Sequence, residues 1–102
     1  MGFERWGYKF EGAFTDPERL EPQSGVYVIW CKTDDTWTVI DVGESADVKR
    51  RVKTHDRAAQ WGCLCSGMLY YSAIYTPNLQ QPGRREIETA IRAQTKPPCG
   101  DW

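Results

Sequence analysis

Residues 24–45 read SGVYVIWCKTDDTWTVIDVGES, and the reading of this stretch decides the fold. Ser24 to Cys31 is an unbroken apolar, β-branched and aromatic run, the pattern of a strand buried on both faces. Lys32-Thr33-Asp34-Asp35-Thr36 is turn chemistry, and Trp37 to Val42 is a second strand-forming run. Together they predict a hairpin with a loop of about five residues. In that register Cys31 stands opposite Trp37, Ile29 opposite Val39 and Tyr27 opposite Asp41. A slip of one residue would put Tyr27 and Asp41 on different faces.

Working outward, Gly43-Glu44-Ser45 breaks the second strand, and Ser45 or Asp47 can cap a helix running to about Gln60. Val48, Val52, His55 and Ala59 follow helical spacing along one side of it. Trp61 to Gly67, with two glycines, reads as a loop, and Met68 to Thr76 as a third strand. Asn78 to Gly83 is a second loop. A final helix covers about Arg84 to Gln94, its buried stripe being Ile87, Ala90 and Ile91, and Lys96-Pro97-Pro98 ends it. Residues 1–23 are expected to form a mostly irregular extension, with strand-like alternation at Tyr8-Lys9-Phe10-Glu11 and a capped turn within Thr15 to Leu20. The order β-β-α-β-α, with one further strand allowed in front, predicts a small α+β sandwich with helices against an antiparallel sheet.

At 102 residues the chain is one domain, which by size scaling buries roughly 65% of its unfolded surface. Its 40% hydrophobic and 26% charged residues exclude an intrinsically disordered chain. No apolar run is long enough for a membrane-spanning helix, and the first residues lack the pattern of a signal peptide, so a cytoplasmic protein is expected. The four cysteines, Cys31, Cys63, Cys65 and Cys99, are expected to be reduced thiols. Cys63-Leu64-Cys65 has the wrong spacing for a zinc knuckle, and no second Cys or His pair answers it.

The net charge of −1 argues against a generally basic nucleic-acid-binding domain, but the charges are unevenly spread. Lys49, Arg50, Arg51, Lys53 and Arg57 crowd one stretch, and Arg84, Arg85, Arg92 and Lys96 form another. Such local clusters can hold phosphate on a near-neutral protein. Lys49, Arg50, Lys53, Arg84 and Lys96 are the candidate nucleic-acid contacts.

Four side chains suit phosphoryl chemistry. Tyr27 offers a phenol, although an ordinary tyrosine pKa near 10 makes a poor base at neutral pH. Arg51 and His55, four apart on the expected helix, could grip one phosphate as fork and proton carrier. Glu88, beside the apolar stripe of the last helix, could hold one Mg²⁺ with waters completing the shell. Each also has an ordinary structural reading: a core tyrosine, a solvated arginine, a tucked histidine, and a glutamate paired with Arg84 or Arg92.

Order and spacing add a resemblance. Ser24-Gly25-Val26-Tyr27-Val28-Ile29 and Val39-Ile40-Asp41-Val42-Gly43-Glu44-Ser45 resemble the two signature strands of the GIY-YIG nuclease family, in particular the domain at the N-terminus of excision-repair nucleases. Arg51, eight residues past Gly43, falls on the arginine of that family's first helix, and His55 on the histidine or tyrosine one turn later. Glu88, nine residues before Pro97 in Lys96-Pro97, falls on its metal-binding glutamate. The similarity covers residues 24–100, the motif-bearing core.

The resemblance implies a divalent-metal-dependent endonuclease that hydrolyses DNA phosphodiester bonds, with Mg²⁺ or Mn²⁺ as cofactor. It implies that Glu88 holds the cation, Tyr27 helps to activate the attacking water, and Arg51 offsets transition-state charge. The partner would be DNA, with branched or damaged duplex among its forms, acted on by a monomer or a weak homodimer. Two positions depart from the pattern: Asp41 replaces the second-motif tyrosine, and Gly100 stands where an asparagine is common. Asp41 either serves as a second metal ligand or base, or marks a catalytically degenerate module that binds nucleic acid or a protein partner. Tyr70 or Tyr71 could supply a replacement phenol. Five tryptophans offer contacts for the partner version, with Trp6, Trp61 and Trp102 expected in loops or ends.

Overall fold

The computed structural model describes residues 2–99 of the chain. It is an α+β domain built on a five-stranded antiparallel sheet. The strands are β1 (Gly2–Arg5), β2 (Tyr8–Phe14), β3 (Gly25–Thr33), β4 (Thr36–Ser45) and β5 (Met68–Tyr75), in spatial order β1-β2-β5-β3-β4. The helices are α1 (Val48–Lys53), α2 (Ala58–Leu64) and α3 (Gln81–Thr95), with one 3₁₀ turn at Pro17–Arg19. None of these helices is long and apolar enough to cross a membrane.

β3 is buried from Gly25 to Cys31 and pairs with a strand on either side, as its continuous apolar run predicts. Its alternate residues feed two cores. Tyr27, Ile29 and Cys31 join Leu20, Val48, Val52 and Trp61 on the face covered by α1 and α2. Val26, Val28 and Trp30 join Phe10, Val42, Ile74 and Ile91 on the other face, where α3 and β1 pack.

The β3–β4 hairpin corrects the expected loop and register. The strands run on to Thr33 and Thr36, leaving a two-residue turn at Asp34-Asp35, with Asp34 in the left-handed region (φ 56°) that aspartate tolerates. A bulge at Ile40 then shifts the pairing. Cys31 faces Thr38, Ile29 faces Asp41, and Tyr27 faces Gly43. β4 therefore continues through Gly43 to Ser45 where a break was expected.

Residues 2–14 form a hairpin joined to the main sheet through β5, where a mostly irregular extension was expected. Trp6 and Gly7 both take positive φ (54° and 81°), which closes a tight two-residue turn between Arg5 and Tyr8. The capped turn is present, with Asp16 accepting from the Glu18 backbone N–H.

The expected helix to Gln60 is two short ones. Asp47 caps α1 through the Arg50 N–H, but Thr54 ends it by returning its hydroxyl to the Arg50 carbonyl at 2.7 Å. α2 then begins at Ala58 and carries Trp61 into the core, only 1% exposed, so Trp61 is neither in a loop nor a surface contact. α3 starts at Gln81, earlier than expected, because Pro82 fits the first turn of a helix, where its missing N–H costs nothing.

Cys31 and Cys65 are joined by a disulfide, correcting the expectation of four reduced thiols. Burial of Trp61 draws the end of α2 onto β3 and sets the two Cα atoms 5.5 Å apart, within disulfide range. A sequence separation of 34 concealed the pairing. Cys63 is exposed and free, and Cys99 is buried and free. Trp102 and Gly100 lie outside the described residues.

Candidate functional site

Tyr27 extends from β3 across Gly43 of the neighbouring strand, and only the missing side chain at Gly43 leaves room for its ring. The phenol meets His55, which follows the end of α1, with Oη 2.8 Å from Nε2. The other ring nitrogen, Nδ1, accepts the Arg57 backbone N–H at 3.0 Å, so the proton sits on Nε2 and is donated to Tyr27. Burial, reinforced by Arg51 and Arg57, holds the His55 pKa down at about 4, so the ring is neutral. The nearby Asp56 carboxylate, 3.2 Å from Nδ1, therefore faces an uncharged ring. Burial pushes the Tyr27 phenol up to about 12, against an opposing pull from Arg51. Tyr27 is thus a neutral hydroxyl that accepts from His55 and keeps its own proton to donate.

That hydroxyl opens onto a cleft of about 420 Å³ at the β4 edge of the sheet. Tyr27, Arg51 and Arg57 line one side; Arg85, Glu88 and Arg92 of α3 line the other. The three α3 residues recur at helical spacing and so share one face. Four guanidinium groups, Arg51, Arg57, Arg85 and Arg92, face two carboxylates, Glu44 and Glu88, in this lining. Arg51 reaches Asp56 at 3.3 Å and remains 41% exposed, which leaves it accessible to an anion. Glu44 is engaged by Arg84 at 2.8 Å, by Gln81 at 3.1 Å and more distantly by Arg85.

Glu88 is half-buried, and burial raises its pKa above the usual carboxylate range despite the pull of Arg92 at 3.5 Å. A half-buried carboxylate on an open, water-accessible wall suits a hydrated divalent cation held by one protein oxygen. Among the described residues no group of three or more His, Cys, Asp or Glu side chains comes together, so a cation here would rest on Glu88 and water. The donor set fits Mg²⁺ or Mn²⁺ in that restricted sense.

Asp41 has no solvent exposure and lies beneath the cleft. One carboxylate oxygen accepts from the Val42 N–H (2.9 Å), Arg92 (2.8 Å) and Arg57 (3.3 Å). The other accepts from Arg57 Nε (2.9 Å) and Trp61 Nε1 (2.8 Å). Five donors saturate it, which leaves no lone pair turned toward a metal or a water. Arg92 also donates to the carbonyls of Cys99 and Val42, so it ties α3 and the C-terminal segment to the β4 edge. Asp41 is the anchor of the cleft's walls. Neither tyrosine considered as a substitute lines the cleft: Tyr70 packs against Trp37 on the opposite face, and Tyr71 belongs to the core cluster near Phe14.

Comparison with family models, with curated proteins and with solved structures returned no match.

The structure brings Tyr27, Arg51 and Glu88 together from β3, α1 and α3, with His55 behind the phenol. The other basic candidates lie elsewhere. Lys49 and Lys53 pair with Glu18, and with Arg50 they border a separate groove on the outer side of α1. Arg84 is buried against Glu44 and the Leu79 carbonyl, so its guanidinium is not presented to a ligand. Lys96 is exposed at the left-handed cap of α3. Arg57 and Arg85 enter the sequence reading only as members of basic clusters, and Arg92 also as a helical partner for Glu88, a pairing the structure shows at 3.5 Å. The spacing of Arg85, Glu88 and Arg92 could have found the α3 wall. Arg57 carried no such signal, because it reaches the cleft only through the helix break after Thr54.

Proposed function

We propose that the cleft is the active site of a divalent-metal-dependent endonuclease domain of GIY-YIG type, acting on DNA phosphodiester bonds. The observation that carries this reading is the convergence of a phenol, an accessible arginine and the half-buried Glu88 carboxylate on one polar cleft. Glu88 would hold the Mg²⁺ or Mn²⁺, which when bound supplies Lewis-acid polarisation of a phosphoryl oxygen. Tyr27, fixed by His55 and by the space over Gly43, directs its hydroxyl proton to a water or phosphate oxygen in the cleft. Conversion of that phenol to a base would draw on the Nε2–H of His55 and on the nearby Arg51 and Arg57 charges. Arg51 meets the negative charge that builds on the phosphoryl group. Arg57 and Arg92, committed to Asp41, hold the walls in place.

The second reading, a module of the same fold that binds nucleic acid or a protein without cutting, is favoured by one observation. Asp41 stands in the place of the second-motif tyrosine, and its carboxylate is consumed by structural hydrogen bonds. Supercoiled plasmid and branched oligonucleotides incubated with Mg²⁺ or Mn²⁺, against EDTA and against Glu88→Ala, separate the two. Metal-dependent nicking that disappears in the variant supports the nuclease. Salt-sensitive DNA binding without cleavage under either metal supports the binding module.

A further inference from the structure

The guanidinium groups that line the Tyr27 cleft differ in how firmly they are held. Arg51 pairs with the exposed carboxylate of Asp56, a surface contact that fixes a side chain weakly. Arg85 is mostly exposed and stands 3.9 Å from Glu44. Arg92 is nearly buried, and each of its three nitrogens already donates to a protein oxygen. Arg57 is both fixed and open. Its Nε donates to one oxygen of Asp41 at 2.9 Å and its Nη2 to the other at 3.3 Å, a fork on a carboxylate with no solvent exposure. Its main chain is tied as well. The N–H donates to His55 Nδ1 at 3.0 Å, and the carbonyl accepts from the Trp61 N–H at 3.0 Å.

An arginine carries five N–H donors, and the fork takes two of them. The other three have no protein partner among the described residues, and 27% of the side chain stays exposed where it lines the cleft. Asp41 lies beneath the cleft, so it holds the guanidinium from below and leaves those donors on the open side. Arg57 is also near the phenol: burial raises the Tyr27 pKa, and the Arg51 and Arg57 charges pull against that rise. Charge selects the guest. With Asp41 beneath the cleft, Asp56 beside Arg51 and Arg84 behind Glu44 included, five guanidinium groups meet four carboxylates, so an anion is complementary. A planar guanidinium with an unused edge suits two oxygens of one phosphate.

We propose that Arg57 is a phosphate-binding residue of this cleft, positioned by Asp41, and that it donates to the phosphoryl oxygens whose charge Arg51 also meets. The proposal rests on the reading of the cleft as a phosphodiester site. It gives Asp41 a part in the chemistry that its own saturated oxygens cannot play. The guanidinium is in place before the substrate arrives and needs no reorganisation as charge builds on the phosphoryl group. In a long substrate held by other contacts, its effect therefore falls on kcat more than on KM.

The test titrates the intact protein with inorganic pyrophosphate in EDTA, following the ring signals of the single histidine, whose Nδ1 accepts from Arg57. The parent should show saturable shifts. Arg57→Lys keeps the charge and loses the fork, and should weaken this binding about tenfold or more. Trp61→Phe removes a different Asp41 donor; it should lose stability and keep most of the pyrophosphate affinity. With Mg²⁺ and supercoiled plasmid, Arg57→Lys should lower kcat for nicking by about 10²-fold or more while KM changes little. A parent that leaves the plasmid uncut, with pyrophosphate binding lost in Arg57→Lys, would support the phosphate contact and remove the nuclease reading alone. No saturable shift in the parent would overturn the proposal. So would an Arg57→Lys variant that melts normally and binds or cuts as the parent does, or equal losses of affinity in Arg57→Lys and Trp61→Phe.

Discussion

Tyr27 and Gly43 face each other across β3 and β4, and the tyrosine ring fills the volume that any side chain at Gly43 would need. A Cβ at that position would land on the ring's Cζ and Oη. The glycine is required by this contact, since no left-handed backbone is involved at Gly43. Its role is to let a phenol cross a strand and reach the cleft.

Gly43→Ala should therefore displace the ring and break the Tyr27–His55 hydrogen bond. Overpacking of this kind costs about 1–3 kcal/mol. Urea denaturation measures the loss, and the ring signals of the single histidine report whether Nε2 has lost its partner. An alanine variant of unchanged stability and unchanged histidine signals would show that the ring has room elsewhere.

Asp41 invites a different exchange, because tyrosine is the residue that the resemblance places there. Introducing tyrosine at this position should not add activity. The carboxylate is enclosed by Arg57, Trp61 and Arg92, and a phenol can neither fit that space nor balance the buried Arg92 charge. Asp41→Asn keeps the volume and removes the charge, so it isolates the electrostatic part. Breaking one side of a buried ion pair costs about 3–5 kcal/mol. Asp41→Asn should lose stability on that scale, and Asp41→Tyr should lose more without gaining cleavage. A tyrosine variant that cuts DNA faster than the parent would overturn the anchoring role.

The hairpin at the heart of the sheet was legible because β3 is buried on both faces and its run of Val, Ile, Tyr and Trp admits no other element. Its register was not legible. The bulge at Ile40 is set by how Asp41 reaches Trp61 and Arg92, and those partners come from α2 and α3. Dependence on a distant contact also concealed the part that Arg57 plays in the site. Tyr27, Arg51, His55 and Glu88 could be named from order and spacing, but not the break at Thr54 that turns His55 inward and brings Arg57 to the cleft. Helical periodicity carries across that break without interruption, so a single long helix was the natural reading. A hydroxyl returned to a carbonyl ended α1 instead. Charge patterning misled at Arg84, where a cation expected on the surface is the buried partner of Glu44.

His55 should make stability depend on pH. Its pKa is about 4 in the fold against an ordinary 6.5, so the unfolded chain binds a proton that the folded chain refuses. Stability is then fully present above about pH 6.5 and falls as the pH drops toward 4, by roughly 3 kcal/mol in all. Carboxylates titrate near the lower limit, so the difference between parent and His55→Gln isolates the histidine. The parent should lose more stability than the variant between pH 7 and 5, as read from denaturation midpoints. Parallel slopes for the two proteins would show that the ring is protonated in the fold.

The Cys31–Cys65 disulfide should be the main stabiliser of α2. It closes a loop of sequence separation 34 between β3 and the end of that helix, and closures of this length contribute about 2–4 kcal/mol. Reduction, or a Cys31→Ala, Cys65→Ala double variant, should lower the melting temperature by roughly 10–25 °C. The loss should be local before it is global. α2 carries Trp61, and Arg57 stands at its N-cap, so loosening it should weaken the three hydrogen bonds they make to Asp41. Amides of α2 should then exchange faster on reduction while those of β3 and β5 change little. Thiol titration gives an independent check: two free thiols in the untreated protein, with exposed Cys63 reacting in the fold and buried Cys99 only on unfolding. Four reactive thiols in protein unfolded without reductant, or an unchanged melting temperature after reduction, would remove the disulfide from the account and leave Trp61 and Arg57 to hold α2 against the sheet.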